Sequence, residues 1–458
     1  MTPPPLHAVL SSQRLILSTP QSKIHFALLG TALVDALGGP AEFHRRFTFP
    51  FVDEMTENAN FDEDGEPLRK GVWTDDTSMV LCLGWSIATF KSRHGLGGEA
   101  GDGFDEADQL DAYVQWWRDG EMSAIGRCFD VGNTIANALR TWTALTEPPR
   151  SKLSGESLKP FAVSTLFSRK SPSSADTRNN ADRQSKQQRA LQKITKDISK
   201  PAFSGNGSLM RVIPVGLAYY RYAVGQKGAF DESGDRIVRA LARRSSTTTH
   251  PNELCQEACE VWTGAIVRIL HRCEAAAVDS TPQFSKLDLL QYFSTFPYTQ
   301  KVLQDALAIT LPPESSSKPE VEEYYWTHHP LLLKVSTSAK QTVSPPSSAP
   351  AISLPSGDAL PSTGYVFHTL IAALYAFFAS SSFEEGAIMC VNMGDDADTV
   401  GAVYGGLAGC WYGCNKSESS GLFWSERVCR WNDALVKKDL IERVAKQLVE
   451  FSDTVKRN

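Results

Sequence analysis

Helical periodicity runs through most of this chain. Ile24, Leu28, Thr31, Ala32 and Asp35 fall on one stripe, which ends at Leu37-Gly38-Gly39-Pro40, where glycine and then proline stop a helix. Met79, Val80, Leu83 and Ile87 carry the same spacing after Thr74-Asp75-Asp76. Further stretches with this period cover about 108–118, 124–144, 209–224, 235–244, 253–272, 364–379, 384–391, 397–413 and 434–452. Alternation at period two is scarce, so the pattern predicts an all-α protein.

Two segments break the pattern. From about Arg150 to Lys200 the chain turns Ser-, Lys- and Arg-rich, with twelve Lys or Arg against four Asp or Glu. From about Leu311 to Ser362 it is rich in Pro and Ser, as in Ser344-Pro345-Pro346-Ser347-Ser348, interrupted by Tyr324-Tyr325-Trp326. Such compositions bury too little apolar surface to offset their ordering entropy. Both are expected to be long, partly disordered loop insertions in a single compact multi-helix domain, whose core covers about 22–149, 201–310 and 363–452. The basic segment reads as a solvated loop rather than a nucleic-acid tether.

Composition narrows the class. With 42% apolar residues the 458-residue chain can bury a large core, and a net charge of −6 argues against general polyanion binding. Nine cysteines show neither a C-x-x-C pair nor zinc-ligand spacing, which suits a reducing compartment. The first twenty residues lack the apolar core of a signal peptide. Residues 1–34 contain no acid, but with only Arg14 and Lys23 as strong bases they make a poor transit peptide. No uninterrupted apolar stretch reaches bilayer length. A monomer in the cytosol or nucleus, away from membranes, is expected.

Two acidic clusters open helices. One is Gly71-Val72-Trp73-Thr74-Asp75-Asp76-Thr77; the other is Asn392-Met393-Gly394-Asp395-Asp396-Ala397-Asp398-Thr399. Asp and Thr cap helix N-termini well, but one side chain per helix start suffices for that. Adjacent carboxylates ahead of an apolar helix repel unless a cation lies between them. Oxygen ligands without Cys or His favour hard ions such as Mg²⁺ or Mn²⁺ over Zn²⁺, and two converging clusters could hold two of them. After the second cluster, small residues recur every fourth position at Ala397, Gly401, Gly405, Gly409 and Gly413. Glycines cost helix stability unless they permit close backbone approach, so this helix is expected at the centre of the fold.

Together these segments resemble the ADP-ribosylglycohydrolase family, which includes dinitrogenase-reductase-activating glycohydrolase. Five blocks in the family's order carry the resemblance: Gly30-Thr31-Ala32-Leu33-Val34-Asp35-Ala36-Leu37-Gly38 with Glu42; Trp73-Thr74-Asp75-Asp76-Thr77; Ser123 through Thr134; Gly205-Asn206-Gly207-Ser208-Leu209-Met210-Arg211 followed by Thr249-His250; and Asn392 through Gly413. The pairing of T-D-D-T with G-D-D-A-D-T is specific; the glycine-rich blocks alone would be weak. The first block reads Val34-Asp35 where the family usually has Gly-Asp, and Asp395 stands where it commonly has glycine.

The resemblance implies an all-α fold with a binuclear Mg²⁺ or Mn²⁺ centre that hydrolyses the bond between ADP-ribose and a modified acceptor. By motif match the metal ligands are Thr74, Asp75, Asp76, Asp396, Asp398 and Thr399, and the catalytic groups Glu42, Asp76 and Asp396. Glu42 would lie near the scissile bond, as metal ligand or acid/base. Substrate-binding positions are Asp130, Gly132 and Asn133 near the ribose, Gly205, Asn206, Gly207 and Ser208 cradling the pyrophosphate, and His250 facing the phosphates. Read without the family, Asp130 is a helix cap, the glycine loop an ordinary N-cap, and His250 a structural residue. Trp73 and Tyr404 read as core. Implied partners are ADP-ribosylated proteins or ADP-ribose conjugates, linked through arginine, serine or polymer, with the blocks leaning towards arginine. A metal-dependent nucleotide pyrophosphohydrolase and a non-catalytic ADP-ribose binder are the rival readings.

Overall fold

Thr19 accepts a hydrogen bond from the Ser22 amide and Pro20 occupies the first turn, so α1 (Pro20–Gly38) starts where its free N–H groups are best satisfied. The structure, a computed structural model, describes residues 9–58, 60–61, 65–95, 102–147, 174–276, 283–313, 315–343, 351–416 and 421–456, with backbone alone for 174–180. After α1 come α2 (Asp75–Arg93), α3 (Glu106–Asp119), α4 (Asn133–Thr146), α5 (Ser174–Ile198), α6 (Ile213–Tyr219), α7 (Glu232–Thr247), α8 (Glu253–Ala276), α9 (Lys286–Thr295) and α10 (Lys301–Leu307). Then follow α11 (Lys318–His328), α12 (Pro330–Thr337), a hairpin of β1 (Lys340–Val343) and β2 (Ile352–Pro355), α13 (Val366–Ala379), α14 (Phe383–Val391), α15 (Ala397–Tyr412), α16 (Glu426–Ala434) and α17 (Lys438–Thr454). The protein is all-α, as the hydrophobic pattern predicts.

The most extensive helix packing among the described residues is between α1 and α15. A Cβ added to Gly30 would lie 2.3 Å from the Gly405 carbonyl oxygen, and one added to Gly405 only 2.1 Å from the oxygen of Gly30. Gly409 meets the Phe26 carbonyl and Gly401 that of Val34 in the same way. The glycine stripe thus lets two backbones touch, and α15 is buried along its whole length. Lys23 on α1 is fully buried and donates to the Trp411 and Gly413 carbonyls, closing the C-terminus of α15. With its following turn, α1 is long and on average apolar enough to cross a bilayer, but Lys23 and Asp35 interrupt it and 89% of that window is buried inside the protein.

Several elements depart from the periodic reading. The helix expected over 124–144 begins only at Asn133, because Gly126 and Asp130 adopt left-handed backbone conformations and keep the preceding residues in a loop. The stretch 209–224 is a turn, the short α6 and a 3-10 turn rather than one helix. In the basic segment, Ser174 to Ile198 is the helix α5; Ala190, Ile194 and Ile198, four residues apart, are buried. The charge excess hides that stripe, while residues 150–173 of the segment lie outside the described residues. The Pro/Ser segment contains α11, α12 and the β1–β2 hairpin, with Tyr325, Leu331 and Leu332 buried; Ser344 through Ser348 lie outside the described residues.

Replacing Gly405 by Ala tests the α1–α15 contact. Alanine gains about 1 kcal/mol of helix propensity over glycine. Forcing the two backbones apart should outweigh that gain by about 1–3 kcal/mol and lower the thermal midpoint. A midpoint at or above wild type would refute the contact.

Candidate active site

The site lies where the ends of α1, α2 and α15 meet. Asp35 occupies an apolar position of α1 and is fully buried. Its carboxylate accepts from the Thr74 amide (2.9 Å), the Thr74 hydroxyl (3.0 Å), the Thr77 amide (3.0 Å) and the Thr77 hydroxyl (2.5 Å), which pins the start of α2 to α1. Thr74 is the N-cap of α2. Its hydroxyl and that of Thr399 each donate to Asp76 Oδ2 at 3.1 Å, so Asp76 bridges α2 to α15. Asp396 caps α15 and accepts from Asn206 Nδ2 at 2.6 Å; Asn206 Nδ2 also reaches Thr369 Oγ1 at 2.8 Å.

Oxygens of Asp35, Asp76 and Asp398 lie within 4.8 Å of one another, and so do oxygens of Glu42, Asp396 and Asp398. Asp398 belongs to both groups. Burial raises the pKa of every one of these acids, and repulsion adds to it for all but Asp35. Glu42 is pushed up to about 10, first by burial and then by Asp130, Asp396 and Asp76. Asp75, Asp76 and Asp398 also rise well above the usual range, through burial first and neighbouring carboxylates next. Burial raises Asp35 only to about 6, because four hydrogen bonds hold its charge.

Among the described residues, Asp76 Oδ1 and Asp398 Oδ2 are buried without a hydrogen-bond partner. An orphaned carboxylate oxygen inside a protein is costly, and two in one cluster point to a ligand that supplies positive charge. The oxygen-only donor set fits a hard divalent cation. This buried acidic cluster could therefore hold metal.

The cluster forms one wall of a cavity of about 570 Å³. Glu42, Asp75, Asp130, Asp396 and Thr399 face it together with Gly132, Asn133, Gly205, Asn206, Gly207 and His250. Folding thus gathers predicted residues from five separate blocks. Arg211, fully buried, holds the glycine loop by donating to the Gly207 carbonyl, the Tyr113 hydroxyl and Thr248 Oγ1. A Cβ on Gly207 would lie 2.8 Å from both His250 Cε1 and Ile135 Cδ1, so the loop is glycine because the ring sits against it. Burial, with the Arg211 charge beside it, lowers His250 to about 3, leaving a neutral imidazole whose Nδ1 is bound to the Thr249 hydroxyl.

Not every expected residue lines the cavity. Ser208 is turned into the core, where it accepts from Ser246 Oγ at 2.9 Å and from Cys259 Sγ. Thr74, Asp76 and Asp398 lie behind the wall, and Asp75 belongs to neither close triplet. Trp73 and Tyr404 are core residues. Asp35 is missing from the ligand set read off the motifs, although its oxygens reach Asp76 and Asp398. An acid inside the apolar stripe of α1 was the available signal.

The family model for ADP-ribosylglycohydrolase matches residues 17–457, nearly the whole chain. The chain belongs to the ADP-ribosylglycohydrolase family. It is similar to ADP-ribosylarginine hydrolases of Pseudomonas putida and Serratia proteamaculans, each 25% identical, over 91% and 92% of this chain and 77% of the relative. A shorter match, 39% identical over 13% of this chain and 21% of the relative, is to the ADP-ribosyl-dinitrogen reductase glycohydrolase of Rhodospirillum rubrum. A solved structure titled ADP-ribosylglycohydrolase-related protein complex superposes with a TM-score of 0.53 at 26% identity, covering 94% of this chain and 99% of that one. The protein is accordingly a glycosidic hydrolase, and the pyrophosphohydrolase and non-catalytic readings fall away.

The raised carboxyl pKa values set a sign for the pH dependence of stability. Unfolded Asp and Glu titrate near 4, whereas the folded cluster keeps its protons to higher pH. The folded state then binds more protons than the unfolded chain, so metal-free stability falls as pH rises from about 4 through neutrality. The metal-free thermal midpoint should be higher at about pH 5 than at about pH 8, and added Mg²⁺ or Mn²⁺ should shrink that difference. Asp398→Asn should raise the metal-free midpoint and remove the shift produced by the cation. A midpoint that climbs with pH in the absence of divalent ions contradicts the clustering.

Proposed function

We propose that this ADP-ribosylglycohydrolase cleaves the N-glycosidic bond joining the distal ribose of ADP-ribose to an arginine side chain of a modified protein, with two Mg²⁺ or Mn²⁺ ions held by the acidic cluster. The observation that carries the reading is the pair of orphaned oxygens on Asp76 and Asp398 behind a cavity that a glycine loop also lines. Asp35, Asp76, Asp396 and Asp398 would hold the ions. Bound there, divalent cations supply charge for ribose hydroxyls and lower the pKa of a water.

The protein's own groups divide the remaining work. The Gly205–Gly207 loop offers backbone surface without side chains, suited to close approach of a pyrophosphate, and a neutral His250 can donate a hydrogen bond there without adding charge. Asp130 and Asn133, on the same cavity, are placed to receive ribose hydroxyls. As the bond to the ribose breaks, positive charge develops on the sugar ring, and the surrounding carboxylates favour it. Glu42 is a carboxyl kept protonated by burial and steadied by Asn60 Nδ2 at 3.1 Å, which suits it to deliver a proton to the departing guanidine nitrogen and then take one from water. Arginine as acceptor is supported by the relatives named ADP-ribosylarginine hydrolase.

All nine cysteines are free and seven are buried, which supports a reducing compartment such as the cytosol or nucleus. The reading also takes the protein to act as a monomer.

Incubation with arginine-linked ADP-ribosylated peptide should release intact ADP-ribose and the unmodified peptide by mass. EDTA should abolish the reaction and Mg²⁺ or Mn²⁺ restore it. Glu42→Gln should lower kcat by about a hundredfold or more while free ADP-ribose still binds. AMP as product, or full activity of Glu42→Gln, would count against the assignment.

A further inference from the structure

Phe43 sits at the mouth of the active-site cavity with 69% of its surface exposed, among the few large apolar side chains left open to water. It holds a left-handed backbone conformation, φ +63°, which a bulky residue adopts only under constraint. The constraint is visible. The Phe43 amide donates to the Asp395 carbonyl and the Asp395 amide to the His44 carbonyl, both at 2.7 Å. Asp395 is itself left-handed, φ +55°. Two strained residues, 352 positions apart in sequence, thus hold each other in place beside Glu42, and both line the cavity.

Their side chains are uncommitted. Among the described residues, Phe43 packs against no other ring and Asp395 has no ion-pair partner. The Asp395 carboxylate accepts only a long bond, 3.4 Å, from Ser362 Oγ. Arg46, whose charge the nearby Asp395 favours, directs its N–H groups to the Met393, Pro355 and Leu360 carbonyls instead. An open aromatic face and a free carboxylate at one mouth are complementary to a flat organic cation. The glycine loop and His250, which the proposed reaction gives to the phosphates, line the same cavity and leave Phe43 and Asp395 unused.

We infer that Phe43 and Asp395 form the acceptor subsite, in which the arginine guanidinium of the modified protein stacks on the Phe43 ring and pairs with the Asp395 carboxylate. This rests on the proposed reaction and names what selects its acceptor. The guanidinium is held flat at the mouth, so the bond from its nitrogen to the ribose enters the cavity towards Glu42. A serine-linked acceptor carries no cation and gains nothing from either group. Backbone strain thereby places two recognition groups that neither α1 nor α15 could project into the mouth from a regular helix.

The test compares arginine-linked and serine-linked ADP-ribosyl peptides, together with the affinity for free ADP-ribose, in wild type, Phe43→Leu, Phe43→Tyr and Asp395→Asn. Asparagine tolerates the left-handed conformation, so Asp395→Asn removes charge without disturbing the turn. Phe43→Leu and Asp395→Asn should each raise KM for the arginine conjugate about tenfold, leaving ADP-ribose affinity and the thermal midpoint unchanged. Phe43→Tyr should behave as wild type. An unchanged KM for the arginine conjugate in Phe43→Leu and Asp395→Asn overturns the subsite. So does an equal loss of free ADP-ribose binding in Phe43→Leu, which would put the ring under the adenine. Wild-type protein that cleaves only the serine conjugate instead overturns the proposed reaction itself, before any variant is made.

Discussion

Seven carboxyl groups crowd around the meeting point of three helices: Asp35, Glu42, Asp75, Asp76 and Asp398 are buried, and Asp130 and Asp396 are half-buried beside them. Two unit charges about 4 Å apart repel by on the order of 4 kcal/mol at the effective dielectric of a protein site. A set of this kind persists only if protons or cations neutralise it and if the surrounding structure is stiff enough not to open. The rest of the fold supplies that stiffness. Asp35 bonds the first turn of α2, Asp76 accepts from hydroxyls on both α2 and α15, and Asn206 ties Asp396 to α13 through Thr369. Asp35, Asp76 and Asp396 thus cannot withdraw without breaking a hydrogen bond to another element.

The glycine contact between α1 and α15 makes this possible. With ordinary side chains between them the two axes would stand several ångströms farther apart, and oxygens from Asp35 and Asp398 could not approach within 4.8 Å. Gly38 makes the same point at the site itself: a Cβ there would lie 2.5 Å from Asp398 Cα. The helix-propensity cost of four glycines is the energetic counterpart of the repulsion they allow. Stability and chemistry are coupled here, since relieving the repulsion by substitution removes the charge that the reaction needs.

Rigid helices provide the acids, whereas the parts that meet substrate come from irregular backbone. Gly205–Gly207, Asp130 and the Phe43/Asp395 pair all lie in turns, and several sit at positive φ. Arg211 and Arg46, buried and surrounded by carbonyl oxygens, fasten two of these turns to the helical frame. Loops can therefore present free amides and side chains to a ligand without the looseness that usually accompanies them.

Local chemistry along the chain was enough to read the helical class, the two acid clusters at helix starts and the close-packed glycine helix, whereas Glu42, Asp130, the Gly205–Gly207 loop and His250 were legible only through the family resemblance. Periodicity, capping preference and glycine spacing are short-range signals, and each survives in the primary structure. Asp35 escaped the ligand set because a single acid in an apolar stripe has no local meaning until its partners arrive from α2 and α15. Ser208 was drawn to the cavity by its neighbours, yet a one-residue rotation in the turn sends its hydroxyl to Ser246. The helix α5 was masked by charge, since composition averages over faces that only packing tells apart. The left-handed pairing of Phe43 with Asp395 left one trace, an aspartate where the family commonly has glycine, and the partner could not be read because the contact joins positions hundreds of residues apart. Which acids touch, which are orphaned and which side chains face the substrate were settled only by the tertiary structure, since burial and distance are properties of the folded chain.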